Sequence, residues 1–561
     1  MSRTPLFREI HKAILLAQRS LHTGETPSEV IEKVAEERRL ARLEEKRLAA
    51  LEQKSLSRRQ FLGYSAAAAA TFALQGCLPA VGGRRSDEPV VIIGGGIAGL
   101  SAGYRLRQAG VPIRILEAQN RTGGRMLSLR NFFADGQVAE LGGELVDTGH
   151  THMHALVEEL GIEFNDLTGD DPTKQEVYFF GGQRRTEAQV VEAFLPIARR
   201  MEADLSTLGG DGDVTYHEPN DAERLDRMSI AEWFDSAGVS GWIRTMLDVA
   251  YTTEYGLEID RQSALNFLLM MDPNPDPAQP FHLFGESDER YHVRGGNDLI
   301  TQALAARVED AIELNTRLEA VRMGADGRYI ATMRRGDSSF EVPARHLLLA
   351  IPFTLLRQVQ LDVELPPVKR RAIQELGYGT NAKLMVGFSD RVWRTRYDSN
   401  GSTLSDLPYQ LTWETSRLQG GGAGILTNFT GGNHGVELGR GTPAEQAAEL
   451  TAHLERVFPG IRATREGMRE ARFHWPSHPY TLGSYASYLP GQWTGIRGAE
   501  GESVGRLYFA GEHCSLDAQG FMEGGCETGQ AAAAEILVEM GMRQPVAQRR
   551  PRRRERVAVP A

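Results

Sequence analysis

Continuous apolar runs mark several buried strands in this chain. Val90-Val91-Ile92-Ile93 is an uninterrupted β-branched run, the pattern of a parallel strand that is covered on both faces. Residues 100–110 predict a helix that ends at a glycine, and residues 112–116 predict a second strand. Residues 347–352 and 507–509 are further apolar runs. The order strand, helix, strand indicates an α/β fold that contains a parallel sheet.

Amphipathic and charged patterns fill other parts of the chain. Residues 190–274, which include Ile230-Ala231-Glu232-Trp233-Phe234, predict a helical insertion. Residues 1–54 are charged and helix-prone, which fits a solvated extension, a translation start placed too early, or a helix for a partner. Residues 549–556 are strongly basic and predict a disordered tail.

Composition narrows the class of protein. The length of 561 residues suggests roughly three to four domain-sized units. Hydrophobic residues make up 41% and charged residues 24%, so a wholly disordered chain is excluded. Only three cysteines occur, which rules out a disulfide framework. The net charge of −11 argues against nucleic-acid partners, because a duplex-binding surface must neutralise several phosphates.

A possible export signal lies between the charged segment and the first strand. Arg58 and Arg59 precede a short apolar run over residues 61–74, which resembles a twin-arginine export signal. Leu74-Gln75-Gly76-Cys77 resembles a lipoprotein box. We therefore expect an exported protein that is either periplasmic or attached to a membrane through lipidation of Cys77. Cleavage without lipidation and a retained anchor remain alternatives.

The first strand opens onto a glycine turn typical of dinucleotide binding. In Gly94-Gly95-Gly96-Ile97-Ala98-Gly99, the first glycine permits the tight turn, Gly96 lets the backbone approach a pyrophosphate, and Gly99 allows close helix packing. The second strand delivers Glu117, about twenty residues further on, where a carboxylate accepts ribose hydroxyls. Strand, glycines, helix, strand and acid in this order predict a dinucleotide site.

The segment after Glu117 resembles the second FAD-contacting motif of the flavin-containing amine oxidases. It reads Ala118-Gln119-Asn120-Arg121-Thr122-Gly123-Gly124-Arg125. Paired glycines can bring backbone N–H groups to the cofactor phosphates, and Arg121 and Arg125 can offset the phosphate charge. Glu140-Leu141-Gly142-Gly143-Glu144 continues the resemblance. The resemblance implies an FAD-binding fold of the Rossmann-like, two-dinucleotide-binding flavoprotein type.

The C-terminal part resembles the last flavin motif of the same family. Gly511 and Glu512 follow the strand at 507–509, and Gly520-Phe521-Met522 opens a helix rich in small residues. The resemblance implies that Glu512 meets the ribityl and phosphate region and that the helix dipole at Met522 stabilises charge on reduced flavin. It also assigns Ile97, Ala98, Leu318 and Trp475 to the cofactor site.

The resemblance further assigns three catalytic residues. Tyr485 and Phe521 correspond to the two walls of an aromatic cage that guides an amine and excludes water. Lys383, in the strand-like segment 381–388, corresponds to a lysine linked through water to flavin N5, where a cation supports O2 reduction. Alternatively, Lys383 could extend to solvent. Ser484 stands where monoamine oxidases carry a flavin-linked cysteine, so we expect non-covalent FAD.

The resemblance implies a small-molecule amine or amino acid as substrate, with O2 as the oxidant. Many L-amino-acid oxidases place an arginine two residues after the glycine pair to clamp a carboxylate, whereas this chain has Leu145 there. Glu144 could instead pair with a cationic substrate, or serve the surface or the cofactor. His150, His152 and His154 do not converge on one helix face, so no metal site is expected. The sequence leaves the oligomeric state open, with a homodimer as one alternative.

The leading interpretation is an FAD-dependent amine or L-amino-acid oxidase. Its alternatives are an FAD-dependent desaturase or porphyrinogen-type oxidase with an apolar substrate, and a non-catalytic flavin-bearing binding protein. We expect an FAD domain, an α+β substrate domain and a helical insertion, flanked by terminal segments. The expected bounds are 1–54 for the charged extension, 55–80 for the signal, 87–135, 286–360 and 498–540 for the FAD domain, 136–189 and 361–497 for the substrate domain, 190–285 for the insertion, and 541–561 for the tail.

Overall fold

The computed structural model describes residues 5–37, 40, 88–209, 214–269 and 288–542. The expected signal at 55–80, including Arg58, Arg59 and Cys77, lies outside the described residues, as does nearly all of the expected tail. Within the described residues, no helix is long and apolar enough to cross a membrane.

A five-stranded parallel sheet forms the centre of the expected FAD domain. Its strands come from distant parts of the chain; three of them are continuous apolar runs, while Ile113–Leu116 contains Arg114 and the edge strand Ile312–Glu313 is half-buried. From edge to edge they are Leu507–Phe509, Leu347–Leu349, Val90–Ile93, Ile113–Leu116 and Ile312–Glu313. The central strand Val90–Ile93 is buried along its whole length, as its β-branched run predicts. Sequence-distant segments therefore assemble one cofactor domain.

A four-stranded sheet belongs to the same domain. Its strand order is Ser338–Ala344, Tyr329–Arg335, Arg317–Met323 and Gln360–Asp362. The structure also has two small antiparallel pairs of strands. Ser128–Leu129 pairs with Ala139–Glu140, and Phe164–Asp166 pairs with Tyr291–Val293.

A seven-stranded mixed sheet forms the substrate domain. Its order is Glu470–His474, Ala382–Phe388, Gly424–Thr430, Leu411–Glu414, Ser399–Ser405, Gln175–Phe180 and Gln183–Arg185. Ala382–Phe388 and Gly424–Thr430 are buried at every position. Side chains of both strands are thereby held in a rigid interior.

Helices cover these sheets, and most of them are short. Besides the helical residues 27–37, the described α-helices are Pro5–Thr23, Ile97–Gln108, Thr151–Leu160, Glu187–Leu205, Glu223–Asp226, Ile230–Ser236, Gly241–Tyr255, Leu265–Leu268, Asp298–Arg307, Phe353–Leu356, Pro367–Glu375, Val392–Thr395, Gly432–Glu437, Pro443–Val457 and Met522–Glu539. Capping boxes at Thr186, Ser229 and Thr442 begin three of them, each with a Glu or Gln three residues later. The expected helical insertion is helical within the residues that the structure describes.

The N-terminal segment differs from the expectation of a solvated extension. The helix Pro5–Thr23 contacts the helix Glu187–Leu205 of the insertion, and Ile14, Leu16 and Ala17 are buried there. A second helical stretch, 27–37, buries Val30 and Val34 in the same apolar cluster. Among residues 12–37 the charged side chains are half-buried or exposed, while most of the apolar ones pack inward, so an average over the composition does not reveal the buried face.

Candidate active site

The glycine turn has the tight geometry that a dinucleotide loop requires. Gly94 has φ +109°, and a Cβ there would lie 2.4 Å from the carbonyl oxygen of Ala350. A Cβ at Gly99 would lie 2.0 Å from the carbonyl oxygen of Gly94, so Gly99 allows the helix to pack on the turn. Gly96 caps the helix Ile97–Gln108 without a side-chain hydrogen bond, which leaves backbone N–H groups for an anion.

Glu117 lies directly beside this turn. One carboxylate oxygen accepts a hydrogen bond from the Gly95 N–H at 2.6 Å, and the other accepts one from the Gln119 N–H at 2.7 Å. Burial raises the pKa of Glu117, because the charged form loses water, while these hydrogen bonds oppose the shift. A carboxylate has further lone pairs that remain for ribose hydroxyls. The turn and the acid therefore fit one end of a dinucleotide.

One continuous cavity of about 860 Å³ joins this dinucleotide site to the substrate domain. Most residues expected at the site line it. They are Gly94, Gly96, Ile97, Ala98, Glu117, Ala118, Gly124, Arg125, Gly142, Gly143, Glu144, Leu318, Lys383, Trp475, Tyr485, Gly511, Glu512, Gly520, Phe521 and Met522. The volume lies near the upper end of the range for ligand sites, roughly 300–1,000 Å³, which suits a large cofactor.

Gly99 and Arg121 are the expected site residues that do not line the cavity. Gly99 serves packing, as expected. Arg121 donates to the carbonyl oxygens of Thr122 at 3.0 Å and Gly124 at 2.7 Å. It therefore stabilises its own loop, and the expectation that it offsets phosphate charge has no support in this geometry.

Arg125 and Glu512 form an ion pair across the cavity wall. The Arg125 guanidinium donates to a Glu512 carboxylate oxygen at 2.7 Å and to the Ser484 carbonyl oxygen at 2.7 Å. The other Glu512 oxygen accepts the Gly520 N–H at 2.8 Å. Glu512 thus ties the strand end to the turn before the helix Met522–Glu539. Because the two charges compensate each other, Arg125 offers less net charge to a phosphate than expected.

The helix Met522–Glu539 begins at the cavity. Its N-cap Phe521 makes no side-chain cap hydrogen bond, so its first N–H groups remain available to a ligand. Glu523 in its first turn instead accepts the N–H groups of His152 at 2.9 Å and Met153 at 2.8 Å. The carboxylate therefore caps the neighbouring helix Thr151–Leu160 and leaves the cavity end uncapped.

Lys383 is buried, which excludes the solvent-directed alternative. Only 5% of it is exposed, and its ammonium donates to the Gly142 carbonyl oxygen at 2.8 Å and to Glu144 at 2.8 Å. It also lies 5.1 Å from the centre of the Trp413 ring. The lysine therefore holds the loop that follows the strand Ala139–Glu140 against the seven-stranded sheet.

Glu144 is the counterion of Lys383. Its second carboxylate oxygen accepts hydrogen bonds from the Trp413 indole and the Thr415 hydroxyl, both at 2.9 Å. Burial would raise the pKa of Glu144, but the attraction of Lys383 and these hydrogen bonds outweigh it and leave the pKa below the usual value. The expectation that Glu144 pairs with a cationic substrate is wrong in this geometry, because its oxygens are already engaged by the protein.

Tyr485 and Phe521 both line the cavity, as the aromatic-cage expectation requires. The Tyr485 hydroxyl donates to the Glu254 carbonyl oxygen at 2.6 Å, which fixes its ring. The Phe521 ring meets the His150 ring edge-to-face at a centroid distance of 5.1 Å. Ser484 donates its hydroxyl to the Asn381 side chain at 2.6 Å and is buried in the same wall.

The histidines near residue 150 have structural partners: His150 and His154 both contact the backbone of Asp147, and the His152 ring lies 3.4 Å from the Gln530 side-chain oxygen. His150 accepts the Asp147 N–H at 3.0 Å, and burial lowers its pKa to about 3, which keeps it neutral. His154 lies within hydrogen-bond distance of the Asp147 carbonyl oxygen, at 3.0 Å. Among the described residues, no group of three or more His, Cys, Asp or Glu side chains could hold a metal ion.

Sequence reasoning missed several residues of the substrate end. Trp413, Phe429, Asn381 and Glu289 also line the cavity. Trp413 and Phe429 lie in strands that are buried throughout, so their apolar pattern cannot be distinguished from that of ordinary core. Glu289 carries no local motif that would have identified it.

Comparisons with known proteins agree with the geometry. The sequence model of the flavin containing amine oxidoreductase family matches residues 97–537. The putative L-amino-acid oxidase YobN of Bacillus subtilis is 24% identical over 463 residues, covering 80% of this chain and 94% of YobN. The flavin-containing amine oxidase A of Equus caballus is 25% identical over 470 residues, covering 81% of this chain and 85% of the relative.

Solved structures show the same fold. Cyclohexylamine oxidase from Brevibacterium oxydans IH-35A superposes with a TM-score of 0.69 at 22% identity. The match covers 81% of this chain and 100% of the cyclohexylamine oxidase chain. Wild-type putrescine oxidase bound to putrescine superposes with a TM-score of 0.67 at 23% identity, over 80% and 99% of the two chains. The chain therefore belongs to the flavin-containing amine oxidoreductase family, as an FAD-dependent enzyme that oxidatively deaminates amines.

Proposed function

We propose that the substrate is a primary amine without a carboxylate beside its amino group, and that O2 is reduced to H2O2. The supporting observation is the charge of the cavity lining. Its lysine and arginine residues are Arg125, Arg317, Arg334 and Lys383. Arg125 is paired with Glu512 and Lys383 with Glu144. Neither is therefore a free partner for a substrate carboxylate.

The remaining two arginines belong to the cofactor domain. Arg317 and Arg334 lie on the four-stranded sheet, and both pair with Glu319, at 3.4 and 3.5 Å. The residues 270–287, which precede the cavity residue Glu289, contain neither lysine nor arginine. A substrate carboxylate would thus enter an aromatic wall without a bidentate arginine. The charge of the lining therefore favours an amine over an α-amino acid as the substrate.

The aromatic lining suits the reacting end of an amine. Trp413, Phe429, Tyr485 and Phe521 surround this part of the cavity. Aromatic faces attract a nitrogen-bearing group and exclude water, which favours the neutral amine that gives up a hydride. FAD supplies the hydride acceptor when bound and passes the electrons to O2. The chain's own contribution is orientation and exclusion of water.

The test compares matched substrate pairs. Tyramine with L-tyrosine, phenethylamine with L-phenylalanine and cadaverine with L-lysine differ within each pair only by the carboxylate. We expect peroxide from the amines, with kcat/KM about a hundredfold or more above that of the amino acids, because burying an unpaired carboxylate costs at least about 3 kcal/mol. Catalase addition checks the peroxide signal. Faster turnover of the amino acids would overturn the proposal, and absence of flavin reduction by every amine would favour the non-catalytic alternative.

We also propose export of the folded, FAD-loaded protein through the twin-arginine route. The support is the Arg58-Arg59 pair before the apolar run at 61–74. A protein that must enclose a cofactor in the cytoplasm requires a route for folded proteins. Replacing both arginines with lysine should retain holoprotein in the cytoplasm, and unchanged export of that variant would contradict the proposal.

A further inference from the structure

The N-terminal segment 5–37 is built into the apolar core of the enzyme. Its helix Pro5–Thr23 contacts two helices of the insertion, Glu187–Leu205 and Gly241–Tyr255, and the strand Ser399–Ser405 of the substrate domain. Ile14 and Ala17 are fully buried, and Leu16 is 1% exposed. Such burial is typical of a core helix and not of a solvated extension.

Polar contacts fix the orientation of the segment. Lys12 forms an ion pair with Glu187 at the start of the insertion helix, and His22 lies 3.7 Å from Glu202 further along it. Within the segment, Arg19 donates two hydrogen bonds to Glu37, at 2.9 and 2.7 Å. The two helical stretches therefore form a hairpin.

The segment also supports the substrate end of the cavity. Its buried side chains belong to the same apolar cluster as Trp413 and Phe429, and Tyr485 packs against that cluster. All three aromatic residues line the cavity. The wall that contacts the amine is thus backed by a core to which the N-terminal segment contributes.

The position of this segment in the chain makes its burial unusual. It precedes Arg58 and Arg59, and a segment in front of an export signal is removed when the signal is cleaved. The fifty residues 38–87 could span up to about 170 Å when extended, so they place no geometric constraint on the hairpin. The contacts of the hairpin, and not the linker, must hold it in place.

We infer that residues 5–37 are a permanent structural subunit of the enzyme. When the chain is cut anywhere between residue 40 and residue 88, the segment stays bound and the product is a two-chain enzyme. The body 88–542 binds it through the apolar surface formed by the insertion and the strand Ser399–Ser405. The partner of the charged N-terminal helix is therefore this chain itself.

The test uses the full chain with a protease recognition sequence inserted between Gly82 and Gly83. Complete cutting is verified on a denaturing gel, and the cut holoenzyme is then diluted to about 1 µM and passed through a gel-filtration column. We expect the N-terminal fragment to coelute with the flavin absorbance in a one-to-one ratio. Elution of the wild-type fragment apart from the body would overturn the inference.

Two variants show whether the observed contacts carry the association. Leu16→Ala removes a buried side chain and should raise the dissociation constant of the cut fragment about thirtyfold or more. Glu32→Ala, at an exposed position of the second helix, is the matched control and should not change it. A Leu16→Ala fragment that binds like the wild-type fragment would contradict the proposed interface. Because the readout is coelution, the result does not depend on which amine is the substrate.

Discussion

Replacing Lys383 with methionine should affect stability and O2 reactivity by different routes, which a second substitution can separate. Lys383→Met keeps an unbranched side chain of similar volume but leaves Glu144 buried without its counterion. Removing one partner of a buried ion pair costs about 3–5 kcal/mol, because the remaining charge has lost water and gained no substitute. Glu144 keeps its bonds from Trp413 and Thr415, which places the expected loss toward the lower end of that range.

The double variant Lys383→Met with Glu144→Gln should recover most of this stability. A glutamine carbonyl oxygen can still accept the Trp413 indole and Thr415 hydroxyl hydrogen bonds, and no buried charge remains. We expect the double variant to unfold within about 1–2 kcal/mol of the wild type, and the double-mutant cycle to show a coupling of about 2 kcal/mol. Urea unfolding with excess FAD measures the free energy of unfolding of the wild type, the two single variants and the double variant.

The pH dependence gives the cycle an independent check. In Lys383→Met, the folded-state pKa of Glu144 should rise above its unfolded value, since burial then acts without the attraction of Lys383, the largest influence that opposes it. The destabilisation is then present at pH 7.5 and shrinks as the pH falls toward the unfolded pKa of about 4.3, where both states hold the proton. A loss of stability that does not change with pH would indicate lost packing.

Stopped-flow measurement addresses the O2 reaction. If the cation supports O2 reduction, flavin reoxidation should slow on the order of a hundredfold in both Lys383→Met and the double variant, with anaerobic reduction by substrate affected less. The stable double variant removes the objection that a damaged fold slows the reaction. Reoxidation at the wild-type rate in the double variant would refute the electrostatic role and leave Lys383 as a structural partner of Glu144.

Three further predictions follow from the same region and from the core behind it. Because Ser484 cannot form a thioether with the flavin, acid precipitation should release yellow FAD into the supernatant, and colour that stays in the pellet would contradict non-covalent binding. Phe521→Leu keeps apolar bulk but loses the aromatic face, so kcat/KM for the best amine should fall about tenfold, whereas an unchanged value would assign the ring to packing. Burial lowers the pKa of Lys369 to about 8. Between pH 8 and about 10.5 the unfolded chain therefore binds more protons at this lysine than the folded protein does. The free energy of unfolding should thus rise with pH in this range, by at most about 1.4 kcal/mol per pH unit. The free energy of unfolding of Lys369→Met should lack this rise with pH. The same pH slope in the variant and the wild type would refute the prediction.

Local motifs were predictable because their geometry is set by neighbours in the chain. Gly94, Gly99 and Glu117 follow from one strand, one turn and one helix, and the structure places them as the motif requires. The Lys383–Glu144 pair was not predictable, because its two partners are 239 residues apart and meet only through the packing of two domains. For the same reason Arg125 was expected to face a phosphate, whereas the fold brings Glu512 to it.

The N-terminal helix shows how composition can mislead. The many charged residues of segment 1–54 predicted solvation, yet the short run Ala13-Ile14-Leu15-Leu16-Ala17 of this helix is buried throughout. A helix needs only one apolar face to pack, and the average over its sequence hides that face. Trp413 and Phe429 present the opposite difficulty, since a strand buried on both faces gives no sign of which side chains reach the cavity.

The interleaved parallel sheet has a consequence for synthesis of the protein. Among the described strands, Leu507–Phe509 is the last to leave the ribosome. The helix Met522–Glu539 that follows it packs on the helix Ile97–Gln108, with Gly529 so close that a Cβ there would lie 2.2 Å from the Ala98 carbonyl oxygen. A nascent chain therefore cannot enclose the cofactor until translation is nearly complete. The FAD domain therefore cannot complete its folding before the C-terminal segment is synthesised, and its N-terminal strands stay unpaired on one edge until then. Retention of FAD thus reports that the entire chain has been made, and a chain that stops before residue 522 should carry none.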